Sequence, residues 1–456
     1  MRKENIMGYE KEGKLLMIIA LPIMISMFIQ ALYNIVDSYF VAKLGEDVLT
    51  AVSLAFPFQQ VMIAIAVGTG VGINALLSRL LGQKNFEKAN IVANNAILLA
   101  VISWLIMAVV GLFFNKAYFN WQIQDGFVVE QGITYLTICT TCSLGLFGGI
   151  ILERLLQSTG KTKLSMISQL VGALTNIVLD PILIFGLWGV PKLGISGAAI
   201  ATIIGQSFSL VLSLYFNLKY NTEIDFRMRY LKLDFKIVKE IYQVGIPAIL
   251  NNAISSIMIF SMNNILMLFS TSATVVLGIY VKLQSFIFMP IFGLNNGLIP
   301  IIAYNYGAKN KSRINNTIRI ALLVSLGFTV LGTFLLWFYG GQLAMLFVKD
   351  VNTINIAIDA FFKISLGIIP VGIVYIICAL TQALGKAKYA LIIQIARQLL
   401  GVLPLAYLLS LTNNLSLVWW AFPITDGLAL LLGIVLYFRI KHSIINNIGD
   451  SYDIRT

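Results

Sequence analysis

A polar stripe interrupts the first long apolar stretch of the chain. Gln30, Tyr33, Asn34 and Asp37 follow one another at helical spacings of three and four residues, which place them on one face of a helix. Burying an ionisable side chain among apolar helices is expensive, so such residues mark functional sites by default. Asp37 is therefore a candidate for binding an ion or a substrate.

A second amide–carboxylate pair lies in another apolar stretch of the same half. Asn176 and Asp180 are one helical turn apart, and Pro181 follows and favours a kink. No lysine or arginine at the same depth can neutralise Asp37 and Asp180. Two ionised carboxylates in a low dielectric repel, and loss of water disfavours their charged forms. A bound proton or a small cation held by oxygen ligands would relieve both costs, although a static polar contact between helices is the alternative.

The second half of the chain carries a different set of charges. Asp359 and Lys363 are four residues apart on one predicted helix, and Lys282 and Asp426 lie on two others. The four charges sum to zero. This pattern predicts a structural ion-pair network, with substrate contact or gating as the alternative.

Three further charges lie near the predicted cytoplasmic ends of their helices, namely Arg154, Glu240 and Arg397. Long charged side chains at such positions can extend to the membrane surface while their stems stay in apolar surroundings. We expect these three to reach the interface in this way.

Composition sets the class of protein. Of the 456 residues, 58% are apolar or aromatic and only 11% are charged, whereas soluble domains have about 25% charged residues. A soluble, disordered or fibrous chain is excluded, and a polytopic membrane protein remains. One histidine, His442, and three cysteines within apolar stretches do not supply a zinc site or the usual catalytic pairs. The chain is predicted to be neither an enzyme nor a cofactor protein.

About twenty apolar residues in a helix cross the hydrocarbon core, and twelve such stretches predict an all-α protein with twelve transmembrane helices. They lie near 14–41, 48–81, 91–115, 131–157, 163–188, 195–219, 236–268, 274–306, 314–340, 354–384, 388–411 and 416–441.

The distribution of basic residues predicts the orientation. If the N-terminus is cytoplasmic, 26 of the 32 lysines and arginines lie in cytoplasmic segments and four in outward loops, as the positive-inside rule requires. We expect a multi-pass protein of the plasma (inner) membrane, with both termini in the cytoplasm. The net charge of +12 then serves orientation and contact with anionic membrane lipid rather than binding of nucleic acid.

The two halves of the chain repeat each other at a constant offset. Pro22 matches Pro247, Gly72 matches Gly297, and the dipeptide 84–85 matches 309–310. Each half contains six predicted helices, so both insert with the same orientation, as in transporters built from parallel repeats. The prediction is an N-lobe at 1–219, a cytoplasmic linker at 220–235 and a C-lobe at 236–456, working as a monomer.

Several segments together resemble the multidrug and toxic compound extrusion (MATE) family. They are YNIVDSYFVAKLGEDVLTAVSLAFP (33–57), GTGVGINALLSRLLGQKN (68–85), TNIVLDPILIFG (175–186), GISGAAIAT (194–202), FGLNNGLIPIIAYNYGAKN (292–310) and LTQALGKAK (380–388). The resemblance covers residues 14–440 in order, and it implies two six-helix lobes with a cleft that opens alternately to the two sides of the membrane.

The resemblance also implies a function: export of small organic, often cationic, compounds in exchange for protons or Na⁺. By motif position, the cation site carries over to Tyr33, Asp37, Asn176, Asp180 and Thr202. Na⁺, if it is the coupling ion, would lie at Asp37, Asn176, Asp180 and Thr202. Gln30 and Asn34 become possible substrate or gating contacts. This pattern is that of the branch with N-lobe aspartates on helices 1 and 5.

Two positions bear on the extent of this site. Glu153 falls at a helix 4 position that is polar in relatives and is included in the cation-coupling site. Some relatives bear a glutamate on helix 7 where this chain has Ser255, which argues against a C-lobe cation site.

Two questions stay open at the level of sequence. Oxygen ligands suit protons and Na⁺ equally. A flippase for lipid-linked or other amphiphilic substrates is the alternative function, although it would favour a cationic cleft, and the N-lobe carboxylates point the other way. The abundance of Ile, Asn and Lys favours a bacterial source.

Overall fold

The computed structural model describes residues 5–227, 230 and 232–448, so residues 228, 229 and 231 of the linker lie outside the described part. Every regular element within those ranges is a helix. Helices satisfy all their backbone hydrogen bonds within one segment, as the interior of a bilayer requires. The predicted all-α class is confirmed.

The chain divides into two compact units, one of residues 1–9 and 25–245 and the other of residues 10–24 and 246–456. The first unit contains most of the N-terminal helices: α1 (Ile6–Tyr9), the later part of α2 (Glu12–Ala42), α3 (Glu46–Gly82), α4 (Phe86–Gln122), α5 (Gly126–Thr141), α6 (Leu144–Ser158), α7 (Thr162–Phe185), α8 (Ile195–Tyr220) and the start of α9 (Phe235–Met267).

The second unit contains the start of α2, the later part of α9 and the helices that follow. They are α10 (Thr271–Gly307), α11 (Lys311–Met345), α12 (Val351–Ser365), α13 (Ile368–Ala383), α14 (Lys388–Gln394), α15 (Leu403–Ser410), α16 (Leu415–Val418) and α17 (Ala421–Ile440). A π-helical segment, Ile395–Val402, joins α14 to α15, and such segments are common at functional sites.

The number of predicted membrane-crossing helices is confirmed in the described residues. Ten helices are long and apolar enough to cross a membrane, and two bent pairs bring the total to twelve. The bent pairs are α5 with α6, at 43°, and α12 with α13, at 45°. Each stands where the sequence predicts a single span, in corresponding places of the two halves.

The backbone conformation reproduces the internal repeat. Lys84 and Lys309, which correspond in the repeat, both have φ of 58°, and the equivalent glycines Gly160 and Gly385 have φ of 79° and 73°. Left-handed backbone is uncommon for residues other than glycine. Its recurrence at equivalent positions shows that the turns after equivalent helices are built alike.

Two helices pass from one unit to the other. Helix α2 does so between Met24 and Ile25, and α9 does so between Gly245 and Ile246. Each change lies within two residues of a proline, Pro22 in α2 and Pro247 in α9. Proline removes a hydrogen bond from the helix interior and favours a bend. The division of the chain at the linker stays a prediction.

Candidate ion-coupling site

Asp37 on α2 and Asp180 on α7 bring their carboxyl groups within hydrogen-bonding distance of each other in the first unit. Asp180 is fully buried, and Asp37 is partly buried. Oδ1 of Asp37 is buried and has no hydrogen-bonding partner among the described residues. A carboxyl pair in contact can hold a shared proton or offer oxygen ligands to a cation.

Asn176 links Asp180 to the neighbouring helix α8. Its side-chain amide lies 3.3 Å from Oδ1 of Asp180 and 3.2 Å from Oγ1 of Thr202. With the amide turned over, its nitrogen donates to Oδ2 of Asp180 at 3.1 Å and its oxygen accepts from Thr202. In either orientation Asn176 bridges the two residues, so four of the residues predicted to bind the ion lie together.

Aromatic and thiol groups surround this carboxyl pair. Tyr33 on α2 lies close enough to Asp37 and Asp180 to interact with both electrostatically. Tyr135 and Cys139 on α5 are buried and interact with Asp37 in the same way. The sequence analysis did not connect α5 with the site, although Tyr135 and Cys139 are one turn apart and so share a face.

Gln30 and Asn34, the other members of the polar stripe on α2, are both exposed. They lie on the same helix as Asp37, but no contact of theirs with the carboxyl pair is found among the described residues. Their predicted role as substrate or gating contacts stays a prediction.

Glu153 on α6 is buried and has its own hydrogen-bonding partners. Nε2 of Gln169 on α7 donates to its Oε2 at 2.5 Å, and Oγ of Ser209 on α8 donates to its Oε1 at 2.9 Å. Both hydrogen bonds are stronger with an ionised acceptor than with a neutral one. Glu153 therefore belongs to a separate polar cluster rather than to the aspartate pair.

The two clusters lie along the same pair of helices. Gln169 and Asn176 are seven residues apart on α7, and Ser209 and Thr202 are seven residues apart on α8. Seven residues make about two turns, or roughly 10 Å. The clusters are thus about two turns apart.

Small residues bring α7 and α8 together between the two clusters. A Cβ at Gly205 would lie 2.6 Å from the carbonyl oxygen of Gly172 and 3.2 Å from Cβ of Asn176. Backbones approach this closely only where side chains are absent, as in other membrane helix pairs. Gly172 and Gly205 therefore position Asn176 against α8.

The four charges predicted to form one network in the second half do not lie together. Lys363 lies 2.6 Å from Asp359 one turn away on α12, and Oγ of Ser416 on α16 donates to Asp359 at 2.7 Å. Lys363 also donates to the carbonyl and hydroxyl oxygens of Ser416. The predicted i,i+4 pair is present on α12, and Ser416 joins it to a second helix, α16.

Asp426 pairs with Arg397 instead of joining that group. Nε of Arg397, in the π-helical segment, lies 2.6 Å from Oδ1 of Asp426 on α17, and both residues are buried. Lys282 lies elsewhere, with its Nζ 5.7 Å from the centre of the Phe347 ring. The expectation that Arg397 extends to the membrane surface is wrong, because a buried carboxylate holds it. The spacing of Gln394, Arg397 and Gln398 on one face could have indicated this burial.

Arg154 is likewise buried rather than extended to the surface. It is 9% exposed, and its Nη1 donates to Oε1 of Gln157 at 2.8 Å. Every residue from Ile151 to Ser158 of α6 is buried, because α6 packs against both α3 and α8. Arg154 is therefore buried by the neighbouring helices although it lies near the end of α6.

The same family model matches the chain twice. The model of the MatE family matches residues 22–182 and residues 247–408. The chain belongs to the MatE family. The two matches begin at equivalent positions of the internal repeat, so each half of this MatE protein contains one family unit.

Two curated relatives match nearly the whole of this MatE chain. The multidrug export protein MepA of Staphylococcus haemolyticus is 29% identical over 449 residues, which cover 97% of each chain. The FAD transporter of Shewanella oneidensis is 28% identical over 432 residues, which cover 93% of this chain and 94% of that protein.

A solved structure has the same fold. A multidrug resistance MATE family transporter of the MOP superfamily, in an outward-facing conformation, superposes with a TM-score of 0.90 at 25% identity, covering 98% of this chain and 99% of that one. The chain is therefore a multi-pass membrane transporter of the MATE type and not an enzyme.

Proposed function

We propose that this protein exports small organic compounds, cationic ones among them, across the bacterial plasma membrane in exchange for protons or Na⁺. The observation that carries the proposal is the contact between the carboxyl groups of Asp37 and Asp180 in the apolar interior of the first unit. Each elementary charge that moves inward gains about 2.3 kcal/mol per 100 mV of membrane potential. A site whose charge depends on a bound cation can use this free energy.

The unsatisfied oxygen of Asp37 supports binding of a cation. A buried carboxylate oxygen without a donor carries a desolvation cost, and a proton or Na⁺ supplies the missing partner. Two carboxyl groups this close to each other suit a shared proton as well as a bound cation. For Na⁺, oxygen ligands would come from Asp37, Asn176, Asp180 and Thr202.

Ion binding would act on the conformation through α2 and α7. Asp37 and Asp180 stand on different helices, and Pro181 follows Asp180 directly. Neutralising the pair removes the repulsion between the two helices, and its ionisation restores it. We infer that ion uptake from outside changes the packing of α2 and α7 and releases substrate outward.

Glu153 adds a third carboxyl group to the proposed coupling site, about two turns away along α7 and α8. Gln169 and Ser209 hold it in a buried position. An acidic group held at this distance can take part in ion transfer only if the path between the clusters opens during the cycle. Tyr33 is proposed to line the carboxyl pair.

The similarity to a multidrug export protein and to a FAD transporter supports a broad range of organic substrates. The bias of basic residues supports an inner-membrane location with both termini in the cytoplasm. We also propose that the protein works as a monomer. Its two six-helix lobes would be residues 1–219 and 236–456.

Transport by purified protein in liposomes tests the proposal. Vesicles receive either a pH gradient without sodium or a sodium gradient at equal pH, and efflux of a fluorescent organic cation is recorded. Export driven by one of these gradients is the expected result and identifies the coupling ion. Export that proceeds equally without any gradient would contradict ion coupling.

The same vesicles address the substrate and the alternative function. FAD, as an anionic compound, and a fluorescent phospholipid are tested beside the organic cation. Gradient-dependent movement of the phospholipid without export of the organic cation would favour a flippase. Export of the cation with no phospholipid movement supports the antiporter.

A further inference from the structure

A three-residue ionic cluster holds the beginning of α9 in the first unit. Glu240 on α9 lies 2.8 Å from Nζ of Lys88 on α4 and 3.1 Å from Nη2 of Arg79 on α3. We name Arg79, Lys88 and Glu240 the α9 latch. All three side chains are between 27% and 37% exposed, unlike the buried carboxyls of the candidate site.

The equivalent position in the second repeat holds the beginning of the other helix that changes units. Lys88 corresponds to Arg313 at the offset of the repeat. Both lie three residues after an asparagine N-cap, Asn85 or Asn310, whose side chain accepts from their backbone nitrogen at 3.1 and 3.0 Å. Arg313 donates to the carbonyl oxygen of Glu10, just before α2. A cation at the same repeat position thus anchors the start of each crossing helix.

Residues 240–245 of α9 lie closely on α3. A Cβ at Gly245 would lie 3.0 Å from the carbonyl oxygen of Gly68, and a Cβ at Gly72 would collide with the carbonyl oxygen of Ile241. Oγ1 of Thr69 on α3 lies 3.4 Å from the hydroxyl oxygen of Tyr242. Residues 241–245 therefore contact α3 over about one helical turn, directly after Glu240 of the latch.

The segment also ends at a position that favours bending. Helix α9 leaves the first unit after Gly245, and Pro247 follows two residues later. Glycine costs helix stability, and proline removes one helical hydrogen bond. Ion pairs that are partly exposed are weak. The ion pairs of Glu240 are weak, and the helix can bend after Gly245. The residues between these two points can therefore move together.

We propose that the α9 latch positions the start of α9 against α3 and that it must open once in each transport cycle. This inference rests on the proposed transport function, since it assigns the latch a step in that cycle. Opening breaks the contacts of Glu240 and exposes the surface of α3 around Thr69. Arg79, Lys88 and Glu240 are positioning residues, which act through α9 rather than on the ion.

Thiol labelling tests the proposal directly. Cys139, Cys142 and Cys378 are replaced by alanine, and Thr69→Cys is introduced as the probe. Thr69 is 2% exposed and contacts Tyr242 of α9, so a water-soluble maleimide is expected to reach its replacement faster when α9 moves away from α3. Labelling is expected to be at least fivefold faster while substrate and an ion gradient drive turnover than at rest.

Glu240→Gln removes the charge of the latch. Because the amide holds the two cations less strongly, labelling of the probe at rest is expected to rise at least fivefold. Glu10→Gln is the matched control: it removes the carboxylate near the start of α2 and leaves its carbonyl contact with Arg313 intact. This control is expected to label like the parent.

Should Glu240→Gln fail to fold, Arg79→Gln and Lys88→Gln each remove one cation and are expected to give intermediate rates. Labelling that neither turnover nor loss of the latch changes would overturn the proposal. The outcome stays separate from the proposed coupling function. Failure of that function abolishes the effect of ion gradients on substrate flux, whereas the resting label rates of the latch variants still report on α9.

Discussion

Asp37 and Asp180, which lie on separate helices far apart in the chain, meet as a carboxyl pair inside the first unit. Helices α2 and α7 could have packed with Asp37 and Asp180 facing different neighbouring helices. Instead Asn176 bridges Asp180 to Thr202, and Oδ1 of Asp37 is left without a partner among the described residues. A buried carboxylate oxygen without a donor carries a desolvation cost that a proton or a cation would relieve, which is why we propose this pair as the ion site.

Asp37→Asn and Asp180→Asn are expected to reduce gradient-driven export at least tenfold. Each change removes one of the two carboxyl groups proposed to share the ion and leaves an amide of nearly the same size. Initial rates of efflux from liposomes, at equal amounts of reconstituted protein, provide the measurement.

Glu130→Gln is the control for these two variants. Glu130 is an exposed carboxylate on α5, outside the candidate site, and its neutralisation is expected to leave the rate unchanged. Full gradient-driven export by both aspartate variants would show that the pair does not couple the ion.

Thr202→Val tests whether the hydroxyl group is an ion ligand. Valine has nearly the same shape as threonine but offers no oxygen to Asn176 or to a cation. The ion concentration for half-maximal transport is expected to rise about tenfold, which corresponds to about 1.4 kcal/mol. Thr202→Ser keeps the oxygen and is expected to behave like the parent; an equal shift in both variants would instead indicate a packing role.

The fold was largely predictable because bilayers require long apolar helices. The twelve stretches, the repeat and the all-α class follow from hydropathy and spacing alone. The sequence did not predict the breaks at 142–143 and 366–367, which lie inside continuous apolar stretches. Nor did it predict that α2 and α9 change units, because hydropathy does not indicate which neighbour a helix contacts.

The candidate site was predictable only in part. Asp37, Asn176 and Asp180 could be found because charges and amides are rare in apolar stretches. Glu153 could be found for the same reason, but its partners Gln169 and Ser209 could not. Arg397 was misplaced because distance from a helix end does not measure burial when neighbouring helices cover that end.

Acid is expected to weaken the start of α12 through Asp350. Its side chain accepts hydrogen bonds from the hydroxyl and the backbone nitrogen of Thr353, and these bonds lower the pKa of Asp350 below its ordinary value of 3.8. A lowered pKa means that the contribution to stability is fully present above the ordinary pKa and is lost as pH falls through the folded-state pKa.

Asp350→Asn separates the cap from its charge. Asparagine is also a good N-cap, but it does not titrate. Midpoints of thermal unfolding measured from about pH 5 down to about pH 2 are expected to fall less steeply with acid in Asp350→Asn than in the parent, with the difference developing below the ordinary pKa. Identical slopes would show that this carboxylate contributes nothing to the acid sensitivity.

The buried pair of Arg397 and Asp426 is expected to matter for stability mainly when one partner is removed. Asp426→Asn leaves the Arg397 charge uncompensated in a buried place, and breaking such a pair costs about 3–5 kcal/mol. Arg397→Met leaves the carboxylate of Asp426 in the same position. Replacing both partners removes both desolvation costs, so the double variant is expected to unfold at a higher temperature than either single variant.

Thermal unfolding of the parent, the two single variants and the double variant in one detergent gives the coupling energy between Arg397 and Asp426. If the losses of the two single variants simply add in the double variant, the two residues do not act as a pair, and the contact would have no energetic meaning.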